Sequence, residues 1–467
     1  MYFSSEVNRF VGYLFLIVFL IQSQISLSQI GVKGKVVDLV QVGSSAETYA
    51  VYLPKGYQEN KPTSIVIIFE PLGRGSFGLQ SFIPAAETYN HILVCSNNAK
   101  NGPFQTNFEI ANRLFAAVFE TFDVDQNQIY LAGFSGGSRL ASSIAVLTEQ
   151  IQGVIACGAG FSPNSNHQPS FGHSFSYVGL VGTRDMNYQE MLQTERWLNI
   201  LKINNTLFVN GDRHRWPPKE QISKAFIWLE LRAYEKNLKS KDFKFLESAY
   251  KGFYQEAQAQ EMDGKLVEAI YGYQRLVKDF SRYYKIDSIR NKLNNLKRRN
   301  SYMNTITHNK KLAVEEGVLK AMFDDKFAME IGEKKANPKV KWWSKKVDKL
   351  NKEYLQSENR FRKSLGERIF YSVYALGVET GEIHLRNKNY EKALYCHKVL
   401  TILIPDNAFP FILTAKDHAQ LGDDQQAMEY LNLALSKGVK DKAVVLAASE
   451  FDSIRQNEAF IKLLENK

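Results

Sequence analysis

The residue types that could do chemistry stand at three separated points of the chain. The first is Gly133-Phe134-Ser135-Gly136-Gly137. A serine between glycines is commonly just a loop, so the pattern gains meaning only from its setting. Ile129-Tyr-Leu-Ala132 before it reads as a strand, and Ser138-Arg-Leu-Ala-Ser142 after it opens a helix. That strand–turn–helix setting lifts a serine oxygen above a sheet edge. The glycines allow a turn too tight for side chains, and the first helical turn puts its N–H dipoles under a developing negative charge. A serine hydroxyl is a poor nucleophile until a base removes its proton. Two partners follow in the order acid, base. Asp185 comes just after the strand-like run Phe175–Val181, and His214 just after Thr206–Val209. In this reading His214 takes the proton from Ser135 and returns it to the leaving group, while Asp185 fixes the imidazole tautomer and stabilises its charged form. Singly, Asp185 reads as a loop carboxylate paired with Arg184, and His214 as a surface histidine beside arginines. Their order and their places at strand ends favour the triad. Asp212 is the rival acid, two residues from His214 on the same loop, and His167 and His173 precede the expected acid strand.

A tetrahedral intermediate needs two hydrogen-bond donors for its oxyanion. One is expected at the backbone N–H of Gly136. The other is expected in Glu70-Pro-Leu-Gly-Arg-Gly75, the loop after the apolar run Ser64–Phe69, at either Leu72 or Gly73. No metal cluster, phosphate loop or dinucleotide fingerprint is present, and Gly73-x-Gly75 lacks the spacing of one, so no cofactor or metal is expected. The three cysteines, Cys95, Cys157 and Cys396, are far apart and form no CxxC pair. Cys95 and Cys157 lie in apolar strand-like runs, where a buried thiol is the default.

The elements that must position these residues alternate over 30–238. Strand-like runs at Thr48–Leu53, Ser64–Phe69, His91–Cys95, Gln128–Phe134, Val154–Ala159, Phe175–Val181 and Thr206–Val209 are separated by helical periodicity at Leu79–Tyr89, Glu109–Phe122 and Ser138–Thr148. Lys219–Tyr234 closes the series as a long amphipathic helix. The expected class is α/β, a mostly parallel sheet covered by helices on both faces. From 239 to 467 the strand-like runs vanish and an all-α helical-repeat domain is expected. A period of 34 residues aligns Ala393, His397 and Leu400 with Ala427, Leu431 and Ala434, and a more distant copy runs through Gly264–Ala269 to Tyr273 and Leu276. The stretch 283–350 is Lys- and Asn-rich and reads as irregular helices or exposed loops.

Charge divides the same way. The chain carries 59 Lys+Arg and 49 Asp+Glu, a net charge of +10. Residues 30–234 balance at 16 against 16, so the whole excess lies in 235–467, at 42 against 32. A solvated helical surface accounts for this, the alternative being a basic face for an acidic partner, nucleic acid or membrane; with no nucleic-acid motif present, no nucleic-acid partner is expected. At the N-terminus Arg9 precedes the apolar run Val11–Ile21, followed by the small-residue site Ser26-Leu27-Ser28. The run is short for a membrane span and fits a secretory signal peptide over 1–28, hence export to the periplasm or beyond. Membrane contact is expected only if that segment stays uncleaved.

Residues 40–234 resemble the esterase branch of the α/β-hydrolases that includes polyhydroxyalkanoate depolymerases and feruloyl esterases. The motifs that carry this are Tyr52-Leu-Pro-Lys-Gly-Tyr57, Ser96-Asn-Asn98 with Asn101-Gly-Pro103, Gly133–Gly137, Gly182–Asp185 and Gly211–His214. The resemblance places nucleophile, acid and base on Ser135, Asp185 and His214. It departs at Leu72-Gly73, where the family often has His-Gly. The helical part, clearest over 370–440, resembles the tetratricopeptide repeat, which implies a protein partner. The expected function is an exported carboxylic-ester hydrolase working through an acyl-enzyme on a small or polymer-borne ester. The alternatives are a serine peptidase on the same fold, or a non-catalytic scaffold that binds through the helices. The absence of a long lid-like insertion points to short or exposed acyl groups.

Overall fold

The computed structural model describes residues 32–439 and 441–465. The expected signal segment lies outside these residues, and no described helix is long and apolar enough to cross a membrane. The chain divides into two compact units, one ending at Met303 and one beginning at Asn304.

The first unit is built on one sheet of eight strands. In chain order these are β1 (Val36–Gln41), β2 (Thr48–Tyr52), β3 (Thr63–Phe69), β4 (Ile92–Ser96), β5 (Val124–Phe134), β6 (Gly153–Cys157), β7 (Ser176–Gly182) and β8 (Asn205–Asn210). Their order across the sheet is β1-β2-β4-β3-β5-β6-β7-β8. β1 and β2 run antiparallel, and β2 meets β4 antiparallel. From β4 through β8 every pairing is parallel. β3 is buried along its whole length, as its unbroken run Thr-Ser-Ile-Val-Ile-Ile-Phe requires of a strand covered on both faces. β1 has no expected counterpart, because its run Val-Val-Asp-Leu-Val-Gln sits half exposed at the sheet edge and buries little.

The helices are α1 (Gly75–Leu79), α2 (Ile83–Tyr89), α3 (Phe104–Thr121), α4 (Gly136–Leu147), α5 (Tyr188–Ile200) and α6 (Lys219–Glu235), followed by α7 (Phe243–Met262), α8 (Leu266–Phe280) and α9 (Asp287–Lys297). One face of the sheet packs with α3, α4 and α5 through Leu114, Leu140, Ile144, Met191 and Leu198. The other face packs with α2 and α6, and the same core runs on without a break into α7, α8 and α9.

The sequence puts the boundary at 238/239; the compact unit instead runs to Met303. Phe253 of α7 stacks on Phe208 of β8 with ring centroids 6.0 Å apart. Arg275 of α8 lies over the same Phe208 ring and donates to Leu207 O at 2.9 Å and Thr206 Oγ1 at 3.1 Å. Lys278 donates to Asn205 O at 2.7 Å. Asp279 is buried, accepting from Trp228 Nε1 at 3.1 Å and facing Arg232 at 3.2 Å. The α7–α8 pair thus covers β8, the last strand of the sheet, and satisfies its outer carbonyls.

The second unit is helical: α10 (Asn300–Ile331), which starts just before it, α11 (Val340–Leu350), α12 (Arg360–Arg386), α13 (Tyr390–Leu403), α14 (Ala408–Gln420), α15 (Asp424–Ser436), then α16 (Lys442–Leu446) and α17 (Glu458–Glu465). The Lys- and Asn-rich stretch 283–350 is therefore regular α-helix over most of its length, with Leu293, Leu312, Phe323, Phe327 and Trp343 among its buried residues and Val314 and Val318 exposed. Small residues set the closest crossings: a Cβ on Gly377 would lie 2.7 Å from Leu400, and one on Gly381 2.5 Å from His397. Glu330 is buried where Trp343 Nε1, Lys326 Nζ and Tyr395 OH donate to it at 2.8, 2.9 and 3.1 Å.

A fragment of 32–303 is expected to melt in one cooperative transition, and a fragment of 32–238 to aggregate. The shorter one uncovers Phe208 and Trp228, and each buried aromatic exposed costs about 1.5–3 kcal/mol. Melting by circular dichroism with size-exclusion chromatography checks this. A monomeric 32–238 fragment with an undiminished Tm contradicts the shared core.

Candidate active site

Ser135 sits between the end of β5 and the start of α4 with φ 52° and ψ −120°. A side chain at positive φ is strained, by about 1–3 kcal/mol, and persists only where the surroundings fix it. Two glycines make those surroundings. A Cβ on Gly133 would lie 2.2 Å from Gly137 O, and one on Gly137 would lie 2.0 Å from Phe69 O. The strand end, the elbow and the helix start therefore touch backbone to backbone. Ser135 N–H donates to Cys157 O at 2.9 Å, which ties the elbow to β6.

The three residues chosen by order along the chain meet here. Ser135 Oγ lies 3.0 Å from His214 Nε2. His214 Nδ1 lies 2.9 Å from each oxygen of Asp185. Asp185 is buried, and the His214 side chain keeps only 16% of its surface exposed. With Nδ1 bonded to a carboxylate, that nitrogen carries the proton and Nε2 is left as an acceptor for the serine hydroxyl. Asp212, the rival acid, pairs instead with Arg215, and its carbonyl oxygen accepts from Arg184 N–H at 3.1 Å. His167 packs on Phe104 and Phe108, and His173 Nε2 lies against Val146 O at 3.1 Å.

A supporting layer stands around the triad that spacing alone does not reveal. Asn187 N–H donates to Asp185 Oδ1 at 2.8 Å while its side chain donates to Gly158 O at 2.7 Å. Arg139 pairs with both oxygens of Glu190 at 2.7 Å and donates to Phe161 O at 2.6 Å. Glu190 also accepts from Gly160 N–H at 2.9 Å. The loop after β6 is thereby fixed beside Asp185. The His214 ring lies on Phe134 at 4.6 Å, and Phe134 lies on Trp216 at 5.4 Å. The local signal for these was present: Asn187 is two residues from the acid, and Arg139 is one helical turn from the nucleophile.

The expected second oxyanion donors are placed differently. Gly136 N–H is the first of the helix and has no acceptor within it. Leu72 N–H, however, donates to Glu70 Oε2 at 2.8 Å, and Gly73 N–H to Glu70 O at 3.0 Å. The reason is Glu70 itself. Its carboxylate is fully buried at the end of β3 and collects donors: Leu72 N–H, Arg74 N–H at 3.0 Å and the Arg74 guanidinium at 2.6 Å. The loop glycines serve a different contact, since a Cβ on Gly73 would lie 2.6 Å from Asn97 O and one on Gly75 2.2 Å from Asn97 Oδ1. Burial alone raises the Glu70 pKa. The Arg74 side-chain bond and the Arg74 and Leu72 N–H bonds outweigh it and hold Glu70 below the ordinary glutamate range. Burial pushes the Cys95 and Cys157 thiols upward, so both stay protonated at neutral pH.

The strand order together with the strand–Ser135–helix elbow defines the first unit as an α/β-hydrolase fold. No family model matches the chain, and no curated protein matches its sequence. Solved structures similar to it include the S-formylglutathione hydrolase of Staphylococcus aureus, at 13% identity and TM-score 0.35, covering 43% of this chain and 98% of that one. An esterase of Pyrobaculum calidifontis is similar at 14% identity and TM-score 0.37, over 45% of this chain and 90% of that one. The feruloyl esterase module of Clostridium thermocellum is similar at 16% identity and TM-score 0.32, over 41% and 86%.

A carboxylate held low in the folded chain adds stability that is complete above its unfolded pKa and is lost as pH falls through the folded value. Glu70→Gln is therefore expected to cost about 1–3 kcal/mol at neutral pH. The difference from wild type should close as pH drops below the ordinary glutamate range. Thermal melts of both chains across that range check it; a gap that stays constant into acid contradicts the role given to the ionised carboxylate.

Proposed function

We propose that this chain is a serine carboxylic-ester hydrolase that works through an acyl-enzyme on Ser135. The observation that carries the reading is the continuous hydrogen-bonded line from Asp185 through His214 to Ser135 Oγ, held at the C-terminal ends of β5, β7 and β8. Ser135 Oγ attacks the ester carbonyl carbon as His214 Nε2 takes its proton. The carbonyl electron pair moves onto oxygen, beside Gly136 N–H. When the intermediate collapses the bond to the alcohol breaks, and the His214 proton leaves with the alkoxide. Water then attacks the acyl-enzyme by the same route, with His214 again taking and returning the proton.

Short or exposed acyl groups suit the site best. The connection from β6 to β7 carries only a single short turn, Ser165–His167, and the exposed Leu72 stands at the loop beside the elbow. The apolar segment 11–21 supports export through a signal over 1–28, and the helical second unit supports a role in holding a protein partner.

Ser135→Ala is expected to abolish labelling by a fluorophosphonate probe and to lower kcat on p-nitrophenyl acetate by about 10⁴-fold or more. Asp185→Asn is expected to lower kcat by about 10⁴ by favouring the wrong tautomer. Wild type that neither labels nor turns over any ester of a chain-length series sinks the enzyme reading. Fractionation of cells expressing the full chain tests export, with retention of residues 1–28 on a cytosolic product as the opposing result.

A further inference from the structure

We propose that one face of α11 docks the chain on an anionic phospholipid surface. The segment 333–353 holds eight lysines against Glu333, Asp348 and Glu353, so half of the chain's excess positive charge falls within it. Helical geometry sorts these lysines. Lys341, Lys345 and Lys349 recur at four-residue spacing, Lys352 follows in the turn that continues the helix, and all four are exposed. Trp343, Val347 and Leu350 are buried, and Tyr354 continues their row. At about 100° per residue the two rows stand roughly half a turn apart, one in the core and one in solvent.

A lysine row of this kind repels itself, because residues four apart on a helix are neighbours. Elsewhere an exposed lysine has a carboxylate in that place, as Lys251 has Glu247 at 2.6 Å. Here Lys341 has Lys345, and Lys345 has Lys349. Among the described residues no carboxylate pairs with Lys341, Lys345 or Lys352, while Lys349 meets Glu353 at 3.6 Å. A layer of phosphate groups supplies the missing negative charge. Trp342, the aromatic that borders the row, favours a bilayer over a nucleic acid. Single strands stack their bases on open aromatic faces, and the Trp342 ring is already surrounded. It stands edge-to-face with Phe323 and Trp343, centroids 6.0 and 5.2 Å apart, and the ammonium groups of Lys326 and Lys346 lie 5.4 and 5.8 Å from its own centroid. A partly buried tryptophan among lysines suits the headgroup layer, where the ring meets apolar matter and the ammonium groups stay in water. This contact is separate from any made by residues 1–28.

The test is co-sedimentation of the full chain with vesicles of phosphatidylcholine mixed with phosphatidylglycerol, against phosphatidylcholine alone. Each lysine near an anionic surface strengthens adsorption about five-fold. A variant carrying Lys341→Gln, Lys345→Gln, Lys349→Gln and Lys352→Gln is therefore expected to bind the mixed vesicles about 10²–10³-fold more weakly than wild type. Both chains carry the apolar segment 11–21, so adsorption through it cancels in the comparison. A second variant replaces Lys35, Lys55, Lys61 and Lys219, exposed on the first unit, by Gln. It loses the same charge and is expected to bind within a few-fold of wild type. Raising salt from about 0.01 M to 1 M shortens the screening length from about 30 Å to 3 Å and should erase the preference of wild type for mixed over neutral vesicles. That arm uses wild type alone, so it decides even where the α11 variant folds poorly. Equal binding by wild type and the α11 variant overturns the proposal, as does equal weakening in both variants or a preference that survives high salt. Tighter binding to a DNA duplex than to mixed vesicles, lost in the α11 variant, assigns the face to nucleic acid and overturns it as well.

Discussion

The contact on which the rest of the first unit depends is the backbone approach of α4 to β3 at the elbow. Gly137 must lie against Phe69 O, with Gly133 against Gly137, for Ser135 to stand at φ 52° above the sheet. That strain is held by burial of β3 and β5 on both faces and by the bond from Ser135 N–H to Cys157 O. If the strand end and helix start separated by the width of one methyl group, the serine could relax and the alignment with His214 would be lost. In the proposed reaction the unbroken apolar run of β3 is thus a requirement of the site as much as of the fold.

Once the elbow is set, the other two positions follow from parallel strands. β5, β7 and β8 point the same way, so residues just past their ends gather at one edge although 50 residues separate Ser135 from Asp185 and 29 separate Asp185 from His214. Strand ends bring the groups near each other, and bonds from neighbouring loops fix them. Asn187 orients the carboxylate, the Arg139–Glu190 pair steadies the loop after β6, and the Phe134–Trp216 stack backs the imidazole. Preorganisation of this kind is what the proposed reaction asks of the surroundings of a weak nucleophile.

Seven strands and the meeting of Ser135, Asp185 and His214 were legible in the sequence because each depended on local pattern: continuous apolar runs, a glycine-flanked serine, polar residues just past a strand. What was not legible depended on which partner covers a given face. The apolar positions of α7 and α8 have helical spacing that fits a separate repeat equally well. Nothing local says that Phe253 meets Phe208 or that Arg275 reaches the carbonyl of Leu207. The loop after β3 misled for a related reason. Its glycines suggest backbone open to a substrate, but a buried carboxylate at Glu70 claims the nearby N–H groups first. The antiparallel edge strand β1 escaped because a half-exposed strand carries a weak pattern.

The central claim is that Ser135 becomes acylated by way of His214 and Asp185. The most direct measurement is rapid quenching of the full chain with p-nitrophenyl acetate, followed by mass spectrometry of the peptide that contains Ser135. The account predicts a burst of p-nitrophenol equal to one per chain, with the acetyl group found on Ser135. A burst whose acetyl group lies on another residue, or steady turnover that leaves Ser135 unmodified at every time point, would contradict it.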